Sequence, residues 1–181
     1  MGAWYNYLYY EDVKTLEQNF EAVRAWCDYL SSTADKYIVK GIWADHMAPG
    51  RDDQGRPSNM ARTPELLELV ATAYYYTTAR TVARMAQVLG RTEQQSHYEA
   101  LASQIRDAFN RKFFDWQAGH YRVPDTGGRY WPFQTANAVP LQLELVPEGF
   151  QERVFQQLVR DIRQVHGGHL TTGIIGTKAL V

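Results

Sequence analysis

TPELLELVATAYYYTTARTVARMAQVLG, residues 63–90, is the stretch that decides the fold. Thr63 offers a side-chain oxygen to cap a helix, and Pro64 suits the first helical position, where its missing N–H costs nothing. Leu67, Ala71, Tyr74, Thr78, Val82, Met85 and Leu89 recur three or four residues apart, as one stripe of a long helix. Gly90 tolerates the left-handed conformation that closes helices. Thr92 then opens another helix, with Gln95 at capping-box spacing. Its stripe is Tyr98, Leu101, Ile105, Ala108/Phe109 and Lys112/Phe113. A connection as short as Gly90-Arg91 makes the two helices an antiparallel hairpin.

The same helical spacing appears on either side. Residues 11–30 place Val13, Leu16, Phe20, Val23, Trp26/Cys27 and Leu30 on one face, with Glu11 and Asp12 at the positive end of the helix dipole. A helix is expected over 134–146, where Pro140 removes one backbone hydrogen bond and should kink or interrupt it. Pro147 is expected to open a further helix, with Phe150, Val154, Leu158 and Ile162 facing one way. Three long irregular segments, near 41–62, 115–133 and 166–176, separate these pieces, and a short β-hairpin is expected around Gly119. The reading is an all-α chain of about five helices in pairs, with long rim loops. Loops of that length in compact domains usually carry function.

Composition narrows the classes. With 19 basic and 20 acidic residues the net charge is −1, which gives nucleic acid or an anionic membrane no electrostatic footprint. No run of about 18 apolar residues exists to cross a bilayer, and the N-terminal MGAWYNYLYYED has no basic leader for a signal peptide. The lone Cys27 sits in an apolar helical pattern and reads as a buried hydrophobe. Aromatic residues make up 13% of the chain, with 12 Tyr and 5 Trp. These side chains suit either a sugar site or a tyrosine-rich core.

Three groups carry candidate chemistry. In GIWADHMAPG (41–50), Trp43, Asp45 and His46 crowd together: a carboxylate that accepts several hydroxyl hydrogen bonds beside flat rings. The plainer alternative is that Asp45 caps a turn and Trp43 belongs to the core. In YWPFQTANA, Trp131 precedes Gln134 and Asn137, which are three apart and share a helical face. They present amides to a ligand or serve as caps and core. In HGGHLTT, His166, His169, Thr171 and Thr172 follow a glycine-rich turn that would bring the His169 ring to a cleft. Its spacing fits no strong zinc pattern, so no metal is expected there. Asp52, Asp53 and Gly55 lack the spaced acceptors of a calcium loop. No phosphate-binding loop or nucleophile elbow is present, and no cofactor is expected.

Five segments in order then resemble one family: GIWADHMAPG, residues 63–90, AFNRKFFD followed by GHY, QTANAVPLQLELVPE, and GGHLTTGIIGTKAL. The chain resembles the catalytic domain of bacterial α-L-rhamnosidases, glycoside hydrolases built as an (α/α)6 toroid. The resemblance implies that residues 1–181 are a central fragment, about half of the ring. It implies removal of terminal α-L-rhamnose with inversion, by a carboxylic acid and a carboxylate roughly 6.5–9.5 Å apart. The segments that carry this acid and base in the family would lie before residue 1 and after residue 181. This chain is then expected to contribute sugar-pocket residues: Asp45, Trp43, His46, Trp131, Gln134, Asn137, His169 and Thr172. Asp45 matches the family's aspartate, while His46 stands where many members have tryptophan. The partner implied is a rhamnose-containing glycoside, and an isolated arc of helices is expected to self-associate through exposed apolar surface. Two other readings stay open: a different α/α-toroid enzyme (glycosidase, lyase or epimerase), and a helical-repeat binding scaffold, for which no fixed period is seen.

Overall fold

The computed structural model describes residues 2–50, 63–122 and 132–181, together with the backbone of Met60–Ala61. Trp131, Asp52, Asp53 and Gly55 lie outside the described residues. The described elements are α1 (Gly2–Tyr10), α2 (Val13–Thr33), β1 (Asp45–His46), β2 (Met60–Ala61), α3 (Pro64–Val88), α4 (Thr92–Phe113), β3 (Phe114–Asp115), β4 (His120–Tyr121), α5 (Phe133–Gln142), α6 (Gln151–Arg160) and α7 (Ile174–Leu180). The chain divides into two compact units, Met1–Val39 with Tyr74–Ala108, and Lys40–Ala73 with Phe109–Val181.

In the first unit, α1 packs on α2 but buries none of its own side chains. Its aromatic sequence has no helical period, so nothing in the residue pattern announces this helix. Asp12 ends the link between the two helices and caps α2, accepting from the Thr15 N–H at 3.0 Å. The cap satisfies one of the donors that a helix start leaves without a partner. Bonding to the Thr15 hydroxyl, and then to its N–H, holds the Asp12 carboxyl below the ordinary range. Leu16, Phe20 and Cys27 form the buried face of α2, as expected, and burial pushes the Cys27 thiol up to about 12. Trp26 departs from the expected stripe: it is exposed and stacks on Tyr29. After α2 the chain reverses through Lys36 and Tyr37, both at positive φ, with Asp35 and Ile38 exchanging two backbone bonds of 2.9 Å.

The α3–α4 turn follows the expected glycine rule. Gly90 has φ +67°, the Arg91 N–H reaches Ala86 O at 2.8 Å and the Gly90 N–H reaches Gln87 O at 3.1 Å. This pair of bonds satisfies carbonyls that the helix end would otherwise strand. At the other end of the hairpin, in the second unit, Lys112 meets Glu68 at 2.6 Å, so the helices run antiparallel. The α4 stripe is buried at Tyr98, Ile105, Ala108, Phe109 and Phe113. In α3 the buried residues depart from the expected stripe. Of that stripe Val82 and Met85 are buried, while Leu67, Ala71, Tyr74, Thr78 and Leu89 are half-buried, and Leu66, Leu69, Ala73 and Tyr76 are buried instead. Gly41 comes close to α3: a Cβ there would stand 2.5 Å from Leu67 O and 2.9 Å from the Ala71 Cβ.

The second unit is built around α5. Every residue from Gln134 to Pro140 is buried, and α6 and α7 pack against it. Pro140 stays inside the helix, which ends soon after at Gln142 rather than running to 146. The hairpin at Gly119 forms as expected, with Phe114 opposite Tyr121 and Asp115 opposite His120. Phe113, Phe109, Tyr121 and Phe114 make a ring cluster, each successive pair of centroids 5.0–5.4 Å apart. Helix α6 begins at Gln151 rather than Pro147, because a turn with Gly149 at φ +81° intervenes. It buries Val154 and Leu158, about 1.5–3 kcal/mol apiece. The glycine-rich segment expected as loop over 166–176 is helical from Ile174 onward.

Candidate functional site

The first of the candidate residues in the second unit is a buried carboxylate. Asp45 is 1% exposed. Its Oδ2 accepts from the Thr135 hydroxyl and from the Gly173 N–H, the latter at 2.6 Å. Its Oδ1 accepts from the Ile175 and Gly176 N–H groups, both at 3.0 Å. The first N–H groups of α7 have no partners of their own in the helix, and a carboxylate there is favoured by the helix dipole as well. Asp45 thus caps α7 from 128 residues away. The approach is close enough to require glycine. A Cβ on Gly176 would collide with the Thr135 hydroxyl and stand 2.8 Å from Asp45 Oδ2, and one on Gly173 would run into His46 O.

This anchor fixes the turn that follows. Ala48 N–H bonds back to Asp45 O at 3.3 Å and Met47 sits at φ +67°. Ala44 and Ala48 point inward, while Trp43, His46 and Met47 point to solvent. Trp43 and His46 lie edge to face, ring centroids 5.6 Å apart at 84°. The structure therefore splits the Trp43-Asp45-His46 group: the rings are presented outward and the carboxylate holds them from beneath.

The α5 amides are spent within the protein. Gln134 donates through Nε2 to Asp161 Oδ1 at 3.0 Å and to His169 O at 3.2 Å, and its Oε1 accepts from the Thr171 N–H at 2.8 Å. Asn137 accepts from the Tyr121 N–H at 2.8 Å and donates to Phe133 O at 2.9 Å. Though three residues apart, they serve different neighbours: Gln134 ties α5 to the 161–171 segment, and Asn137 ties it to the β-hairpin. Tyr121 continues the second network through its hydroxyl to Asn110, which donates to Leu145 O. Thr172 is nearly buried and shares a 2.8 Å hydroxyl contact with Thr177. His169 is exposed, on a turn with Gly167 and Gly168 at positive φ.

Four participants carry no sequence signal strong enough to single them out. Thr135 lies between the two amides and is the buried hydroxyl that meets Asp45. Gly173 and Gly176 are close-approach positions that read as loop glycines. Asp161 opens a single π-helical turn, Asp161–Val165, and its Oδ1 also lies 3.1 Å from His166 Nδ1. Such turns are frequent at functional sites. In the neighbouring hairpin the Ala118 N–H, followed by that of Gln117, holds the Asp115 carboxyl below its usual range. Among the described residues no group of three or more His, Cys, Asp or Glu is placed to hold a metal ion.

Comparison with known proteins agrees with this architecture. A family model described as the bacterial alpha-L-rhamnosidase 6 hairpin glycosidase domain matches residues 1–181. An alpha-L-rhamnosidase of Formosa agariphila is 30% identical over 176 residues, 97% of this chain and 18% of that protein. The alpha-L-rhamnosidase structure from Dictyoglumus thermophilum superposes with a TM-score of 0.77 at 34% identity, covering 98% of this chain and 19% of the other. A Streptomyces avermitilis alpha-L-rhamnosidase, solved in complex with L-rhamnose, gives a TM-score of 0.77 at 28% identity over 98% of this chain and 15% of that one. The chain thus spans less than a fifth of the length of the curated relatives it matches. The all-α class and the six-hairpin fold implied by the sequence resemblance are borne out, and the chain belongs to the bacterial alpha-L-rhamnosidase six-hairpin glycosidase domain family.

Proposed function

We propose that this chain supplies part of the sugar-facing rim of a glycoside hydrolase that releases terminal α-L-rhamnose. The observation that carries the reading is the outward Trp43–His46 ring pair on a turn immobilised by buried Asp45. An exposed indole offers a flat apolar face to the C–H side of a deoxysugar, and the imidazole beside it offers a nitrogen to a hydroxyl. His169, exposed on the neighbouring segment, is the second polar group of the rim. Asp45, Gln134 and Thr172 form the framework beneath these groups, and Asn137 ties α5 to the β-hairpin. All four are buried and already bonded within the protein, which leaves little for a sugar hydroxyl to engage. Trp131 completes the residue set by resemblance.

The reaction assigned is inverting hydrolysis, in which one carboxylic acid protonates the leaving oxygen and a carboxylate activates water across the ring. Both groups are assigned to parts of the parent protein beyond these 181 residues. Support comes from the fate of the carboxylate nearest the rim: Asp45 accepts four hydrogen bonds and is sealed from solvent. The L-rhamnose complex of the Streptomyces avermitilis relative favours rhamnose over the sugars of other α/α-toroid enzymes.

The test has two arms. The 181-residue chain should not hydrolyse a chromogenic α-L-rhamnoside; turnover comparable with that of an intact relative would refute the assignment of the acid and base elsewhere. L-Rhamnose should bind more tightly than other hexoses, and Trp43→Ala should weaken it about tenfold, equivalent to ~1.4 kcal/mol. Unchanged affinity in that variant would remove Trp43 from the rim.

A further inference from the structure

We propose that Gln134 is a positioning residue, paired with Asp161, that sets the 166–173 segment and through it the place of His169 on the sugar rim. The proposal rests on the rim reading above. Gln134 is wholly buried and uses both ends of its amide on that segment: Nε2 on His169 O, Oε1 on the Thr171 N–H. Gly167 and Gly168, at φ +58° and +88°, turn the chain at the start of the segment, held by Gly168 N–H to Ile162 O at 2.7 Å and His169 N–H to His166 O at 3.0 Å; beyond that turn Gln134 is the side chain that ties it to α5. An amide can be turned over, and in the reversed pose it would face Thr171 N–H with a donor. Asp161 removes that freedom. A carboxylate only accepts, so its Oδ1 at 3.0 Å from Nε2 fixes which end of the amide is nitrogen.

The π-helical turn explains why Asp161 is within reach. His166 N–H bonds to Asp161 O at 3.0 Å, the five-residue spacing of that turn, and His166 Nδ1 adds a second contact to the same residue through its carboxylate. The turn thus binds the start of the glycine-rich segment to the residue that orients Gln134. Two residues beyond Thr171, the Gly173 N–H is held by Asp45, the residue beneath Trp43 and His46. Gln134 thus holds the 166–173 segment, while its neighbour on α5, Thr135, bonds Asp45 of the segment that bears Trp43 and His46.

The charge pattern allows a rescue experiment that a merely space-filling role would not pass. Gln134→Glu places two carboxylates face to face and removes both donors. Adding Asp161→Asn restores a hydrogen bond of reversed direction: the new amide donates to the new carboxylate, and His166 Nδ1 meets it in whichever tautomer fits. Amide hydrogen exchange at Thr171 and L-rhamnose affinity are measured for the wild type, both single variants and the pair. Gln134→Glu should speed Thr171 exchange and weaken the sugar by about tenfold each, ~1.4 kcal/mol, and the double variant should recover part of both, since the bond to His169 O stays lost. Equal exchange in the wild type and Gln134→Glu, or a double variant no better than the single one, would overturn the proposal. Should Gln134→Glu not fold, Asp161→Ala at its less buried site is the substitute, with faster Thr171 exchange expected and an unchanged rate counting against it. Failure of the wild type to bind L-rhamnose would sink the rim reading alone, and the exchange pattern would still decide the role of Gln134.

Discussion

Replacing Asp45 by asparagine separates a structural carboxylate from a sugar ligand. Its four donors divide evenly: the Thr135 hydroxyl and Gly173 N–H on Oδ2, the Ile175 and Gly176 N–H groups on Oδ1. Asparagine keeps one carbonyl oxygen. It does best with that oxygen toward Ile175 and Gly176 and its NH2 toward Thr135, whose hydroxyl can rotate to accept, so the Gly173 N–H is the donor left stranded. Asp45→Asn is therefore expected to cost about 1–3 kcal/mol, a sizeable part of the roughly 5–15 kcal/mol that holds a typical domain together. Denaturant unfolding followed by circular dichroism gives the total. Amide exchange at Gly173, Ile175 and Gly176 shows whether the loss is local to α7. A variant within ~0.5 kcal/mol of wild type with those amides still protected would refute the capping argument. If such a variant also lost L-rhamnose affinity, Asp45 would belong to the ligand rather than to α7.

Three further outcomes are expected. Lys36 and Tyr37 hold positive φ without being glycine, a conformation costing about 1–2 kcal/mol per residue, so Lys36→Asn with Tyr37→Gly should stabilise by ~1 kcal/mol after the added chain entropy of glycine; a thermal midpoint that does not rise would contradict this. The carboxyls of Asp12 and Asp115 lie below their ordinary 3.8, so their contribution is present above that pH and lost as pH falls through the depressed folded values. Acid titration of Asp12→Asn should accordingly show a shallower loss of stability below about pH 4 than the wild type, and superimposable profiles would deny Asp12 that role. Finally, α1 exposes Leu8, Tyr9 and Tyr10 and buries nothing, so the isolated chain should self-associate in sizing chromatography and Tyr9→Lys with Tyr10→Lys should reduce it; a wild type that elutes as a monomer at every concentration removes the premise.

Legibility in the sequence follows the range of the interactions. The α3–α4 hairpin is readable because its punctuation is local: Thr63 with Pro64 at one end, Gly90 at the other, and the Thr63 hydroxyl meets the Leu66 N–H at 3.3 Å. Helix α7 is not, because its cap is contributed by Asp45, across 128 residues of chain, and its own first turn contains Gly176. Helix α1 escapes for the opposite reason: its Trp and Tyr residues have no periodic face to read, and it buries none of them. The candidate site is legible as a set of residues but not as a set of roles. Residue type marks Asp45, Gln134 and Asn137 as hydrogen-bonding groups without saying whether a ligand or the backbone answers them.

The division of those roles follows from the cost of burial. A carboxylate or amide taken out of water must find partners, and in this fold the partners at hand are backbone groups that the loops leave unpaired. Gln134 and Asp45 meet Thr171 N–H, Gly173 N–H and the first turn of α7, groups that irregular backbone cannot satisfy on its own. Each buried polar side chain therefore offsets two desolvation costs at once, its own and that of the loop. The exposed rings of Trp43 and His46 carry no such obligation, and water on their outer faces can give way to a ligand. Under the proposed function, polar residues on the buried stretch of α5, Gln134 to Pro140, determine where the rim stands, and the solvent-facing rings of the 41–50 segment determine what it grips. Substitutions of the first kind should alter stability and loop protection together, whereas substitutions of the second kind should alter sugar affinity alone.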